Sequence, residues 1–221
     1  MNFAQSVLAS VLGTIISAVM VATISRRVRA AMAAALSWTL GVDLVYIFRN
    51  KVSCNKDLAS ELKEAQDVRI FTGRGDELRR EEMFVELFRG ARTKAIRVLL
   101  PEAGEVARVD WTEDRAREME LFDPGHSLRV QIESNAKYIT EHGVQLRRYN
   151  FPHFGRIIMT ERVVYFTPYR ADAHGRECKI YKYRRGTMYD SYARLFEKIW
   201  THARENVGNR EVLVTEAEPE G

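Results

Sequence analysis

Three side chains with chemical potential surround one short apolar hairpin: His153 and Arg156 at its start and Glu161 at its turn. They belong to the run from Pro152 to Tyr169, in which a basic pair opens a strand, a carboxylate sits at the turn and a second apolar strand follows. Covalent catalysis needs a nucleophile with an oriented ring and a cation that stabilises developing charge, and these residue types can supply both. Arg156 with the neighbouring Arg147 and Arg148 can also hold an anion without reacting, because a guanidinium presents a bidentate fork to phosphate oxygens. The plainer reading stays open too. His153 follows a proline in a loop, where it can make local hydrogen bonds, and Arg156 and Glu161 can be charges at strand ends.

A second candidate is Gly73-Arg74-Gly75-Asp76, placed between a strand and a helix. Glycines there allow close backbone approach, and a helix start presents free N–H groups to an anion, with Arg74 beside it. The spacing is not GxGxxG, so an ordinary strand-to-helix turn is the competing reading. His126, His142, His174 and His202 form no metal-spaced pair with carboxylates, so neither a metal nor another cofactor is expected. Cys54 and Cys178 lie far apart with no CxxC spacing, which argues against a thiolate metal site and fits a reducing compartment.

Alternating strands and helices position these residues from Asp67 onward. Val68–Thr72 reads as a buried strand, and Asp76 as the cap of a helix whose apolar face is Met83, Phe84, Leu87 and Phe88. Ala95–Leu100 is a second strand stopped by Pro101. Trp111–Phe122 reads as a charged amphipathic helix, and Leu128–His142 as another, ended by Gly143. Val144–Tyr149 is the third strand, Gly155–Thr160 and Val163–Thr167 form the hairpin, and Cys178–Tyr183 is a further strand. In the closing helix, Tyr189–Arg204, the residues Tyr192, Leu195, Phe196, Ile199 and Trp200 share one face. This order predicts an α/β sandwich around a mixed sheet.

The 221-residue chain carries a net charge of +4, which favours anionic surroundings without choosing between lipid headgroups, nucleotides and nucleic acid. From Phe3 to Ile24 it has no charged side chain, and Arg26, Arg27 and Arg29 follow at once. Twenty-two helical residues at about 1.5 Å each match the hydrocarbon thickness of a bilayer. The arginines on that flank predict an outside N-terminus and a cytoplasmic remainder, that is, a single-pass protein of the inner membrane in contact with its lipids. The apolar stretch Ala30–Phe48 is expected to be a helix at the membrane surface or against a copy of itself. As a second span it would carry Asp43 into the bilayer at about 3 kcal/mol. A further helix is expected over Asp57–Ala65, capped by Asn55 or Asp57. The expected organisation is an anchor (1–25), a helical juxtamembrane connector (26–66), an α/β domain (67–206) and an acidic tail (207–221).

The segment Pro152–Tyr169 resembles the signature of the phospholipase D-like superfamily: His, any residue, Lys, four residues, then Asp, leading into a hairpin. The resemblance spans residues 67–204, and single-motif members with an N-terminal anchor share the layout of this chain. In active members the His attacks a phosphodiester, the Lys neutralises phosphate oxygens and the Asp orients an imidazole. By resemblance His153 stands for the nucleophile, Arg156 for the Lys but one residue late, and Glu161 for the Asp. Gly155 and Thr160 occupy the literal Lys and Asp positions, and Gly186, Thr187 and Ser191 are loose counterparts of a downstream small-polar stretch. The resemblance implies a phospholipase D-like α/β sandwich that self-associates. Its expected function is a catalytically degenerate domain that binds or senses a phosphate-bearing ligand or partner, a nucleotide or nucleic acid among them. Effectors of bacterial stress or phage-defence signalling work in this way. An active membrane-tethered phosphodiesterase and an oligomerising structural membrane protein are the alternatives.

Overall fold

Runs of β-branched and aromatic residues alternate with amphipathic stretches from Leu44 to Glu205, and each run becomes a strand of one sheet. The computed structural model describes residues 35, 39, 41, 43–103, 127–150, 152–169 and 175–205. The expected anchor, the helix expected over Trp111–Phe122 and the tail lie outside them. No helix among the described residues is long and apolar enough to cross a membrane.

In chain order the elements are β1 (Leu44–Phe48), α1 (Lys51–Glu64), β2 (Asp67–Phe71), α2 (Asp76–Arg80), α3 (Glu82–Arg89), β3 (Ala95–Pro101), α4 (Leu128–Glu141), β4 (Gln145–Tyr149), β5 (Gly155–Thr160), β6 (Val163–Pro168), β7 (Ile180–Arg184), α5 (Thr187–His202) and β8 (Arg204–Glu205). The described strands form an eight-stranded sheet in the order β1-β7-β6-β5-β2-β3-β4-β8. β2, β3 and β4 run parallel, whereas β5 pairs antiparallel with β2 and the remaining pairings are antiparallel as well. The expected mixed sheet is therefore present.

Helices cover both faces. On one face Leu58 and Leu62 of α1, Leu78 of α2, Phe84 and Phe88 of α3 and Ile139 of α4 pack on Val68, Ile70, Val98 and Ile158. On the other, Tyr189, Phe196 and Ile199 of α5 pack on Phe71, Leu99, Ile157 and Met159. Ile157 and Ile158 thus point to opposite cores, as the twofold alternation of a strand requires. Of the face expected for the closing helix, Phe196 and Ile199 are buried, while Tyr192, Leu195 and Trp200 are partly so.

Three expectations are corrected. Leu44–Phe48, expected to end a helix begun at Ala30, is a strand that pairs with β7. Its residues are β-branched, aromatic and leucine, and suit a half-buried pleat better than a helix surface. The helix expected at Asp57 starts six residues earlier, where Asn50 accepts from Ser53 N–H at 3.0 Å and Ser53 Oγ returns the bond from Asn50 N–H at 3.2 Å. The helix expected to begin at Asp76 is two helices, broken where Glu81 takes an extended conformation between them.

Asp43 joins the first strand to the last long helix. It holds a left-handed conformation (φ 57°) from which its Oδ2 accepts the N–H of Thr187 at 2.7 Å, capping α5. Gly186, at φ 153°, passes so close that a Cβ there would land on the Asp43 carboxylate.

Candidate functional site

The chain lays β3 and β4 on one side of β2 and then crosses over to place β5 on the other. In open α/β sheets ligands bind outside the carboxyl ends of the strands where such a reversal occurs. Here that place is the end of β2, at Thr72 and Gly73, and the segment leading into β5 brings His153 to it. A Cβ on Gly73 would sit 2.8 Å from both Cδ2 and Nε2 of His153, so the ring occupies the room glycine leaves. Rings surround it: Phe71 at 5.1 Å, Tyr169 at 4.7 Å and Tyr149 at 6.1 Å between centroids. Phe154, 38% exposed, stacks on Phe71 at 5.0 Å and forms the outer wall.

The imidazole is held by a phenol. Tyr149 Oη lies 2.6 Å from His153 Nδ1 and also donates to the Thr72 carbonyl at 3.2 Å. Burial, with Tyr169 adding to it, pushes the Tyr149 phenol well above its ordinary range, so this partner stays neutral. His153 Nε2 is buried.

Arg156 is brought to the other face. It shares the parity of Ile158 along β5, and its guanidinium lies 3.5 Å from the Glu77 carboxylate of α2, with both side chains mostly buried. Glu77 also accepts from Thr72 Oγ1 at 2.9 Å. Burial raises the Glu77 carboxyl, but Arg156, Lys51 and hydrogen bonds from its own backbone and Thr72 outweigh it and hold the group below its ordinary value. Lys51, ion-paired with Glu81, is lowered to about 8, chiefly by burial, with Arg156 and Arg176 pushing the same way against Glu77 and Asp76. Thr72 therefore touches both clusters, its carbonyl on the histidine side and its hydroxyl on the arginine side.

Glu161 is not part of the crevice. It accepts the N–H groups of Gln66 and Asp67, each at 3.3 Å, at the amino end of β2. Six residues at about 3.3 Å each put that end roughly 20 Å from Gly73. Against slight burial, hydrogen bonds from its own backbone and from the backbones of Asp67 and Gln66, with Arg162, hold its carboxyl below the ordinary value. Arg147 donates to the Trp200 carbonyl at 2.8 Å and lies over its ring at 4.9 Å, while Arg148 donates to Pro101 O at 3.1 Å and Glu133 at 2.7 Å. Burial lowers the Arg148 guanidinium. Arg74, which follows Gly73 in the chain, donates to Gln131 Oε1 of α4 at 3.1 Å. The backbone at Gly73–Gly75 gains nothing from α2 as an anion cradle, because α2 is a five-residue helix whose first turn carries Asp76 and Glu77. Thr187 and Ser191 sit in the first turns of α5, where Ser191 Oγ donates to Thr187 O at 2.8 Å.

The structure thus packs His153 against Gly73, leaves Arg74 beside that glycine with its guanidinium on Gln131 of α4, and sends Arg156, Glu161, Arg147 and Arg148 elsewhere. Sequence reasoning missed Tyr149, Tyr169 and the cluster of Glu77, Lys51 and Glu81 around Arg156. Among the described residues no group of His, Cys, Asp and Glu is arranged to hold a metal ion.

No protein-family model matches this chain, and no curated protein matches it. Solved structures similar to it include these two. One is TrmBL2, an archaeal chromatin protein with a novel mode of DNA binding, at 14% identity over 92% of this chain and 71% of that one, with a TM-score of 0.46. The other is Nuc from Salmonella typhimurium, a phospholipase D family member, at 13% identity over 72% of this chain and 95% of that one, with a TM-score of 0.47.

Proposed function

We propose that this is a phospholipase D-like domain that binds a phosphate-bearing ligand in the crevice between β2 and β5 and does not hydrolyse it. The observation that carries the reading is the Tyr149–His153 hydrogen bond of 2.6 Å. In the superfamily's active members a carboxylate orients the imidazole. A phenol can fix the same ring, but it is neutral and offers no charge to stabilise an imidazolium as a proton is taken up. The carboxylate and the cation that would complete the motif lie at the far end of β2 and on the opposite face of the sheet. What remains there is the His153 imidazole against the bare Gly73 backbone, with the Arg74 guanidinium next in the chain, and these are the groups we assign to holding an anionic group. The same reading tethers the domain to the inner face of the membrane through residues 1–25, supported by their uncharged run and the arginines after it, and pairs it with a second copy.

The full-length chain should show no turnover of bis(p-nitrophenyl) phosphate and no phosphate trapped on His153. A panel of phosphate-bearing ligands should contain at least one whose binding weakens in both His153→Asn and Arg74→Ala. Turnover abolished by His153→Asn would make the protein a phosphodiesterase, and binding indifferent to both substitutions would leave a purely structural role. Ile15→Arg should cost about 3 kcal/mol of membrane insertion; undiminished membrane association would overturn the anchor.

A further inference from the structure

The hydrogen bonds around Tyr149 fix where the proton on His153 resides, and the reason is a proline on the neighbouring strand. In the parallel ladder of β2 and β3, Thr72 N–H donates to Leu99 O at 3.2 Å, so the Thr72 carbonyl faces β3 as well. The donor that would complete the ladder is the N–H of residue 101. That residue is Pro101, which has none. A buried carbonyl takes a donor from somewhere, and here it is the Tyr149 hydroxyl, at 3.2 Å. A phenol has one proton. Once it is committed to Thr72, the 2.6 Å contact between Tyr149 Oη and His153 Nδ1 is a hydrogen bond only if Nδ1 carries the proton and donates it.

We infer that Tyr149 is a positioning residue that locks neutral His153 in the Nδ1–H form, leaving Nε2 as an acceptor at the crevice. The relay runs Nδ1–H to Tyr149 Oη, then Oη–H to Thr72 O, and Pro101 sets its direction. Among the described residues the titratable groups in ring contact with the imidazole are Tyr149 from β4 and Tyr169 after β6; Phe71 from β2 brings no charge.

One consequence rests on the function proposed above. A fully ionised phosphodiester offers acceptors only, so it engages Nε2 only after the ring gains a second proton. Its binding takes up one proton and strengthens as pH falls through the imidazole range.

The test is ¹⁵N NMR of the imidazoles in the full-length chain at alkaline pH, with the His153 signals assigned by their loss in His153→Asn. We expect a protonated Nδ1 and a bare Nε2. Tyr149→Phe should move the ring toward the Nε2–H form. Pro101→Ala, which alters no group touching His153, should do the same by giving Thr72 a ladder donor and releasing the phenol proton. Each variant reports on its own, so a failure of one to fold leaves the other decisive. A wild-type ring protonated at Nε2, or a signature unchanged in whichever variants fold, would overturn the inference. Dimethyl phosphate, which stays a monoanion across the range, separates the two levels. Absence of binding at every pH beside an intact Nδ1–H signature supports the tautomer lock and counts against the ligand reading.

Discussion

The His153 ring fills the space where Gly73 would carry a side chain, with Cδ2 and Nε2 both 2.8 Å from the position of that absent Cβ. The imidazole is also walled by Phe71 and Tyr169, so it has no easy retreat. Gly73→Ala should therefore cost about 1–3 kcal/mol, the usual range for overpacking. Adding His153→Ala should recover most of that loss, because the two substitutions act on one contact. Urea unfolding of the single and double variants measures both values, and strictly additive losses would refute the contact.

Arg156 and Glu77 form a buried pair, and removing one member strands the other. Arg156→Met should cost about 3–5 kcal/mol, more than a surface arginine would, and Arg156→Met with Glu77→Gln should be less damaging than the sum. The acid limb follows from the sign of the Glu77 shift. Its carboxyl is lowered in the folded protein, so its stabilisation is complete above the unfolded value and is lost as pH falls through the folded one. Glu77→Gln should flatten that acid loss in pH-dependent chemical unfolding.

Lys51 predicts the opposite limb. Lowered to about 8 from 10.5, it is neutral in the folded protein and charged in the unfolded one between those values. The unfolded state then binds the extra proton, so stability rises with pH across that window. Lys51→Met should abolish the rise, and an unchanged slope between about pH 8 and 10.5 would contradict the burial of this amine.

The Asp43 cap on α5 is exposed to a simple comparison. Asp43→Ala removes the acceptor for Thr187 N–H and should cost about 1–2 kcal/mol. Gly186→Ala forces a methyl onto the Asp43 carboxylate in a backbone conformation that L residues avoid, and should cost more. Thermal melts of the two variants rank them, and the reverse order would place the cap elsewhere.

Much of the scaffold was legible from residue periodicity. The β5–β6 hairpin, the strand ending at Tyr149 and the face of α5 around Phe196 carry patterns that bury one way only, and they form where expected. Leu44–Phe48 was obscured because it continues an alanine-rich apolar run, although its own five residues favour a strand. The site was less legible. His153, Arg156 and Glu161 are close in sequence, but a strand converts spacing into direction. Three residues turn Arg156 to the other core, and eight carry Glu161 to the other end. Tyr149 gave no signal, since it ends a strand and His153 lies beyond it, so no periodic spacing announces that the two side chains meet. Pro101 did give one: a proline closing a strand in the middle of a parallel ladder marks a carbonyl in need of another donor.

The sheet order has a consequence for the protein's manufacture. Of the described strands β1 leaves the ribosome first yet pairs with β7, the seventh of the eight, and β2 needs β5 for one of its edges. At about 5–20 residues per second, roughly ten seconds pass between the emergence of Leu44–Phe48 and that of its partner. Through that interval an apolar strand has no native edge to join, so the nascent chain is a target for holdase chaperones and for mispairing with its own copies. The sheet can close only once synthesis has delivered Ile180–Arg184, so its folding waits on a pairing between strands far apart in the chain.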